Sequence, residues 1–260
     1  PTPPLTVVIN EIAWMGTKAS PNDEWIELYN TTKELVDLTG WKLKSLADNS
    51  PNITLSGTIS PLGFYLLERT ASITTNVSED QIYTGSLNNN LNCQILALYD
   101  QNNNLVDKTV CLENGSWPAG KASPDYLSME RINPRTSGEN IENWANNNQV
   151  IKNGFDAALN PINGTPRSQN SVYQTLPPNQ ITDLTLDQQK SYDNIATLNW
   201  STTTDPDTLS ENLSYFIYYS KTEAELNSTS TTYATTTLTT ITISNLDYNS
   251  TYYFGLRAFD

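Results

Sequence analysis

Residues 7–44 read VVINEIAWMGTKASPNDEWIELYNTTKELVDLTGWKLK, and no other stretch restricts the fold as strongly. Three short runs rich in branched and aromatic residues (7–14, 24–29 and 36–43) are separated by turn-forming clusters: Gly16 with Ser20-Pro21-Asn22-Asp23, then Asn30-Thr31-Thr32. In the second run Ile26 and Leu28 alternate with Trp25, Glu27 and Tyr29, the period of a strand with one face on a core. Further β segments are expected at 52–55, 64–68, 81–83, 93–100, 105–111 and 126–132, punctuated by Pro61-Leu62-Gly63 and Asn114-Gly115. No segment carries a sustained, capped helical stripe, and 141–150 supplies one short helical turn at most. The expected class is all-β.

A chain of 260 residues is long enough for two domains, each with its own core, and 37% hydrophobic content with 6 Trp and 14 Tyr supplies the apolar material. The net charge of -14 repels phosphate backbones and anionic membrane surfaces, so neither nucleic acid nor a membrane is an expected partner. No window approaches the roughly 18 apolar residues of a membrane span. There is no His at all. That removes every Ser-His-Asp triad, Cys-His dyad and His-ligated metal centre, and no enzymatic activity is expected.

Cys93 and Cys111 flank a sequence that reads as a hairpin turning at Gln101-Asn102-Asn103-Asn104. Folded about Asn102, the two thiols fall opposite each other at a separation a disulfide tolerates, which implies an oxidising compartment. The stretch from Asp100 to Asn104 also opens like a calcium loop. However, Leu105 stands where such a loop needs Gly, and Cys111 where it needs Glu.

The opening stretch resembles a lamin tail domain. The matching positions are Asn10, Glu11, Glu24, Trp25, Glu27, Leu28, Asn30, Asp37, Leu38, Gly40 and Trp41, continued by Ser128-Met129-Glu130-Arg131, Asn143-Trp144 and Gly164-Thr165-Pro166…Asn170. The resemblance implies an immunoglobulin-like β-sandwich over residues 7–171, after a Pro-rich linker at 1–6, serving as an accessory module without chemistry of its own.

Residues 172–180, with a Pro pair, read as an inter-domain linker. Strands are then expected at 181–186, 195–200, 214–220, 233–235, 239–243 and 251–258. With Trp200 late in the second of these and Tyr252 opening the last, residues 181–260 resemble a fibronectin type III domain lacking its last strand. That resemblance implies Trp200 in the core and the Tyr252 hydroxyl tied back to the backbone. The whole is expected to be two Ig-like β-sandwich domains in tandem. An uncovered strand edge invites addition of a strand from a neighbour, including self-association.

Glu11, Asp23, Glu24 and Glu27 form the densest carboxylate set, on or beside adjacent strands, with Arg131 as the expected ion-pair partner for one of them. Asp205, Asp207 and Glu211 offer hard oxygen ligands in one loop of the second module, so calcium is the only cofactor the sequence suggests. Of Trp14, Trp25, Trp41, Trp117 and Trp144, Trp117 sits among turn residues and is the one placed for exposure and contact with a glycan. Asn30, Asn76 and Asn249 head glycosylation-type triplets, but a chain this rich in Asn, Ser and Thr contains such triplets by chance. The expected role is non-catalytic: adhesion, spacing or display at an extracellular surface, with other surface proteins or glycans as partners. Two alternatives stand beside it, an accessory region of a secreted nuclease or glycosidase, and a self-assembling surface-layer or filament subunit.

Overall fold

The computed structural model describes residues 2–48, 50–70, 73–88, 92–174, 178–205, 213–226 and 233–259. The chain divides into two compact units, Pro1–Gln174 and Thr175–Asp260. Both are built from β-strands.

The first unit contains β1 (Val7–Ala13), β2 (Trp25–Asn30), β3 (Val36–Asp37), β4 (Lys42–Ser45), β5 (Asn52–Thr54) and β6 (Thr58–Ile59). It continues with β7 (Phe64–Arg69), β8 (Gln81–Tyr83), β9 (Leu96–Tyr99), β10 (Leu105–Lys108), β11 (Met129–Arg131) and β12 (Trp144–Asn146). They form a six-stranded sheet, β12-β11-β1-β2-β7-β8, a four-stranded sheet, β10-β9-β4-β5, and the small pair β3-β6. The two larger sheets share one core, with Ile9, Ile12, Ile26, Leu28 and Met129 from the first meeting Leu43, Ile53, Leu96 and Leu98 from the second. Burying such side chains is worth about 1.5–3 kcal/mol apiece and is the main force closing the sandwich. A single 3-10 turn, Ile141–Asn143, is the only helical element described in this unit.

The expected strand at 36–43 is broken in two. Gly40 takes φ +82, and the Trp41 N–H donates to the Leu38 carbonyl at 2.9 Å, closing a turn that only glycine enters without strain. β3 therefore pairs with β6, whereas β4 joins the four-stranded sheet and Trp41 is left buried between them.

Cys93 and Cys111 form a disulfide with Cα atoms 5.7 Å apart, just beyond the ends of β9 and β10. The connecting turn is closed by Asp100, whose Oδ1 accepts from the backbone N–H groups of Asn102 and Asn104 at 2.9 and 2.8 Å. Hydrogen bonds from the Asn104 side chain and these backbone groups hold the Asp100 carboxyl well below its ordinary range. The acidic loop is thus committed to a turn. Closing a loop of this length stabilises by about 3 kcal/mol. Reduction with the chain otherwise unchanged is expected to lower the melting temperature of the first unit, and identical melts with and without reductant would contradict this.

The flanking linkers are shorter than expected. Thr2 donates its backbone N–H to Asp100, Leu5 donates to the Val106 carbonyl, and the Thr31 hydroxyl donates to the Leu5 carbonyl, so much of residues 1–6 is docked on the first unit. Gln174 likewise donates to the Ile132 carbonyl.

The second unit contains β13 (Thr185–Leu186), β14 (Ala196–Asn199), β15 (Ser214–Ser220), a one-turn helix α1 (Glu223–Leu226), β16 (Ala234–Thr236), β17 (Thr240–Ile243) and β18 (Tyr253–Phe259). Its two sheets are β13-β14-β17 and β16-β15-β18. They enclose Leu198, Trp200, Tyr215, Ile217 and Ile243. Trp200 packs edge-on against Tyr215 with centroids 5.5 Å apart, and the Tyr252 hydroxyl accepts the Asp247 N–H at 2.8 Å. The helix was not anticipated; Glu-Ala-Glu-Leu is a favourable but very short helical sequence.

Candidate functional site

The six-stranded sheet has one face toward the four-stranded sheet and an outer face on which alternation places glutamates among aromatic and apolar side chains. On β2 this outer set is Trp25, Glu27 and Tyr29, and their partners on β7 are Glu68, Leu66 and Phe64. On β1 the alternation is interrupted. Val8 and Ile9 pair with Tyr29 and Leu28, Glu11 pairs with Glu27, and Asn10 is the extra residue of a bulge. The bulge brings Glu11 into register with Glu27 on one side and Glu130 of β11 on the other. Three glutamates therefore lie in a row across three neighbouring strands, all fully buried.

A strap formed by residues 163–171 covers the row. Glu11 Oε1 accepts from the Ser128 hydroxyl and the Thr165 N–H, at 2.5 and 2.8 Å, while its Oε2 lies 2.9 Å from Thr165 Oγ1. Glu130 accepts from Asn147 Nδ2 and the Ser171 hydroxyl, both at 2.6 Å, and Thr165 Oγ1 lies 3.1 Å from its Oε1. Glu27 accepts from Asn10 Nδ2 and from the Arg167 N–H. Asn170 closes the strap by donating to the carbonyls of Asn10 and Arg131 at 3.0 and 2.8 Å. The strap approaches so closely that a Cβ on Gly164 would lie 2.8 Å from the Trp25 ring and 2.9 Å from Glu11.

Burial pushes the Glu11 carboxyl well above its ordinary range, with the neighbouring Glu130 and Glu27 adding to the effect. Burial also raises Glu27 to about 8, against hydrogen bonds from Arg167 and Asn10 that favour its charged form. The Thr165 hydroxyl lies between two carboxyls, within hydrogen-bonding distance of Glu11 Oε2 and Glu130 Oε1, and so ties β1 and β11 to the strap. Buried, these carboxylates lock the strap to the sheet.

The other expected site residues are dispersed. Glu24 pairs with Arg69 at 2.9 Å and accepts the Leu87 N–H, and burial raises it to about 7. Asp23 accepts from the Thr17 hydroxyl in the preceding loop. Arg131 does not pair with any of the four expected carboxylates. It lies one residue after Glu130, so alternation turns it to the opposite face, where it grips Asp107 of β10 at 2.6 and 3.1 Å and donates to the Ile9 carbonyl. Glu130 and Glu68 were missed as members of the outer face, although the order Ser128-Met129-Glu130-Arg131 already separates the two faces by parity.

Trp117 is not a surface platform. It is 4% exposed, stacks nearly parallel on Trp14 with centroids 6.2 Å apart, and donates its Nε1–H to the Asn88 carbonyl. The turn around it folds the ring inward because the indole finds both an apolar partner and an acceptor there. Of the expected calcium ligands, Asp207 and Glu211 lie outside the described residues. Among the described residues no three Asp, Glu, His or Cys side chains are grouped to hold a metal ion.

Beside the last residues of the strap the outer face forms a groove. Tyr29 and Phe64, neighbours across β2 and β7 with ring centroids 5.1 Å apart, line a groove of about 220 Å³ with Leu62, Pro134, Gln169 and Tyr173. Asn10 and Asn170 also line it.

Residues 1–111 match the family model described as Lamin Tail Domain. The lamin-tail match takes in β1 to β10, and β11, β12 and the strap lie beyond it. No curated protein matches the chain. One solved structure, titled "Cytokine receptor complex - Crystal form 2", is similar at 15% identity over 91% of this chain and 85% of that one, with a TM-score of 0.20. That likeness is too weak to bear on fold or function.

Proposed function

We propose that this chain is a non-catalytic, exported binding module, and that the groove lined by Tyr29 and Phe64 is where its first unit holds a neutral sugar ring of a surface glycan. The observation that carries the reading is the contrast within one sheet face. The glutamates Glu11, Glu27 and Glu130 are held by the strap, and the groove beside them is lined by three aromatic rings, a leucine, a proline and side-chain amides, with no charged side chain among the lining residues. Aromatic faces stack on the apolar face of a sugar, and the Gln169 amide serves its hydroxyls. The disulfide supports an oxidising, extracellular setting. The second unit, read as fibronectin type III-like on Trp200 and on the Tyr252 hydroxyl bond, serves as spacer or adhesive neighbour in this reading.

The test is titration of the full chain with glucose, galactose, mannose and N-acetylglucosamine and their disaccharides, followed by tyrosine fluorescence and amide chemical shifts. Tyr29→Ala and Phe64→Ala are each expected to weaken binding several-fold, corresponding to about 0.5–1.5 kcal/mol per ring. Folding of each variant is checked by circular dichroism. Unchanged binding by a folded double variant, or silence across the whole panel at millimolar sugar, would remove the reading.

A further inference from the structure

Glu11, Glu27 and Glu130 do not line the groove, yet each is fully buried beside it. Glu11 stands directly opposite Glu27 on one neighbouring strand and opposite Glu130 on the other. Side chains paired in this way have Cβ atoms about 4.5–5.5 Å apart, a separation at which buried carboxylates repel one another once both are ionised.

The surrounding elements do not relieve that repulsion. Arg167 of the strap gives its backbone N–H to Glu27, but its guanidinium turns to Asp80 and to the Ser78 carbonyl, and Asp80 opposes what that cation offers Glu27. Arg131 of β11 lies on the opposite face with Asp107. β7 sets the neutral Leu66 beside Glu27, and its Glu68 sits one pair further along, capped by the backbone N–H groups of Thr74 and Thr75. Asn147, just past β12, contributes a neutral amide. Lys18, Asp125 and Asp156 share a small cavity with Trp25 and Ser128, where Asp125 pairs with Lys121 and Asp156 holds the turn at Asn160.

The strap is fastened at all three carboxylates, by the Thr165 N–H on Glu11, the Arg167 N–H on Glu27 and the Ser171 hydroxyl on Glu130. It reads NGTPRSQNS, with Pro166 as its one apolar side chain, so hydrogen bonds and not apolar burial hold it down. Between the last two fastenings, Gln169 and Asn170 line the groove with Tyr29 and Phe64.

We infer that the strap is a pH-operated latch: as the glutamate row ionises, water reaches it by lifting residues 163–171 off the sheet, and the groove loses the wall that Gln169 and Asn170 supply. The direction follows from burial, which raises Glu11 above its ordinary range and Glu27 to about 8. A proton held in the closed form and released in the open one favours opening about tenfold per pH unit between the two values. The latch is therefore shut in acid and loosens as pH rises toward 8 and beyond. The lifting is independent of what the groove binds; only its effect on affinity rests on the sugar reading above.

Trypsin reports the lifting, because Arg167 is the single cleavage point within the strap. Cleavage of the full chain after Arg167, divided at each pH by the rate on a small arginine amide, is expected to rise about tenfold or more from pH 6.5 to pH 9, with an unchanged circular dichroism spectrum. Glu11→Gln and Glu130→Gln each remove one carboxylate from the row and keep an oxygen for its donors, and each is expected to flatten the rise. Glu68→Gln, on the same face but away from the strap, is expected to leave the rise unchanged. A normalised rate that does not change with pH, a rise that comes only with loss of the circular dichroism signal, or equal flattening by Glu68→Gln would overturn the inference. A sugar bound at pH 6.5 is expected to weaken about tenfold over the same range, and undiminished affinity above a lifted strap would overturn the link to the groove. Silence of every sugar would remove the sugar reading alone, since the cleavage needs no ligand.

Discussion

Asp107→Ala will cost the first unit about 3–5 kcal/mol, because it strands a fully buried guanidinium. Arg131 and Asp107 are 0% and 1% exposed at their side chains, and the pair joins the six-stranded sheet to the four-stranded one. Asp107 also accepts the Ile9 N–H, next to the bulge that sets the register of the glutamate row. For a unit of this size each kcal/mol shifts the melting temperature by about 2–4 °C, so a drop on the order of 10 °C or more should appear in calorimetry. The double replacement Asp107→Leu with Arg131→Met should recover the part of that loss due to the unpaired guanidinium, while the Ile9 N–H and carbonyl stay without these partners. A single variant that melts within about 1 kcal/mol of the parent would show that the pair contributes little.

The second large effect is on pH dependence. Glu27 is raised to about 8, Glu24 and Glu68 to about 7, and Glu11 is raised further by its acidic neighbours, each chiefly through burial. Each of these groups keeps its proton in the folded chain at pH values where the unfolded chain has released it. Their contribution to stability is therefore complete below about pH 4.5 and is lost as pH rises through 7 and 8. The opposite limb comes from Asp100, Asp48 and Asp156, whose hydrogen bonds hold them below the ordinary value, so that stability falls again as pH drops through the low range. Maximum stability of the first unit is expected near pH 5, with a decline of several kcal/mol by pH 9, at about 1.4 kcal/mol per pH unit for each group still protonated in the fold. Glu11→Gln, which mimics the neutral acid and keeps an oxygen to accept from the Thr165 N–H and the Ser128 hydroxyl, should cost little and flatten the alkaline limb. Glu11→Ala should be strongly destabilising at every pH, because the Thr165 N–H and the Ser128 hydroxyl lose their acceptor. A melting profile that climbs from pH 5 to pH 9 would be incompatible with protonated glutamates under the strap.

The two effects come from opposite faces of one short strand. In β11 the order Met129-Glu130-Arg131 sends Glu130 outward to Glu11 and the strap, and Arg131 inward to Asp107. A single-residue slip of this strand would exchange the two and bury each against the wrong partner. Register is therefore strongly specified here, even though β11 pairs over only three residues.

The amino-acid sequence by itself determined the β class, most strand positions, the pairing of Cys93 with Cys111 and the hairpin between them. All of these rest on local information: a period of two, turn residues at fixed offsets, and short loops whose closure leaves few choices. The bulge at Asn10 was not read from the sequence; it shows in the structure as a register shift between Ile9 and Glu11 that lets both Ile9 and Ile12, three residues apart, face the core. Only the tertiary structure decided that Arg131 belongs to Asp107, 24 residues away, and that Glu11 is held by Thr165, 154 residues away. It alone decided that Trp117 turns inward onto Trp14 and that Gln169 and Asn170 of the strap line a groove with Tyr29 and Phe64. The reason is physical: which face a residue occupies follows from its neighbours in the chain, whereas what lies on that face depends on which distant strand or strap comes to cover it.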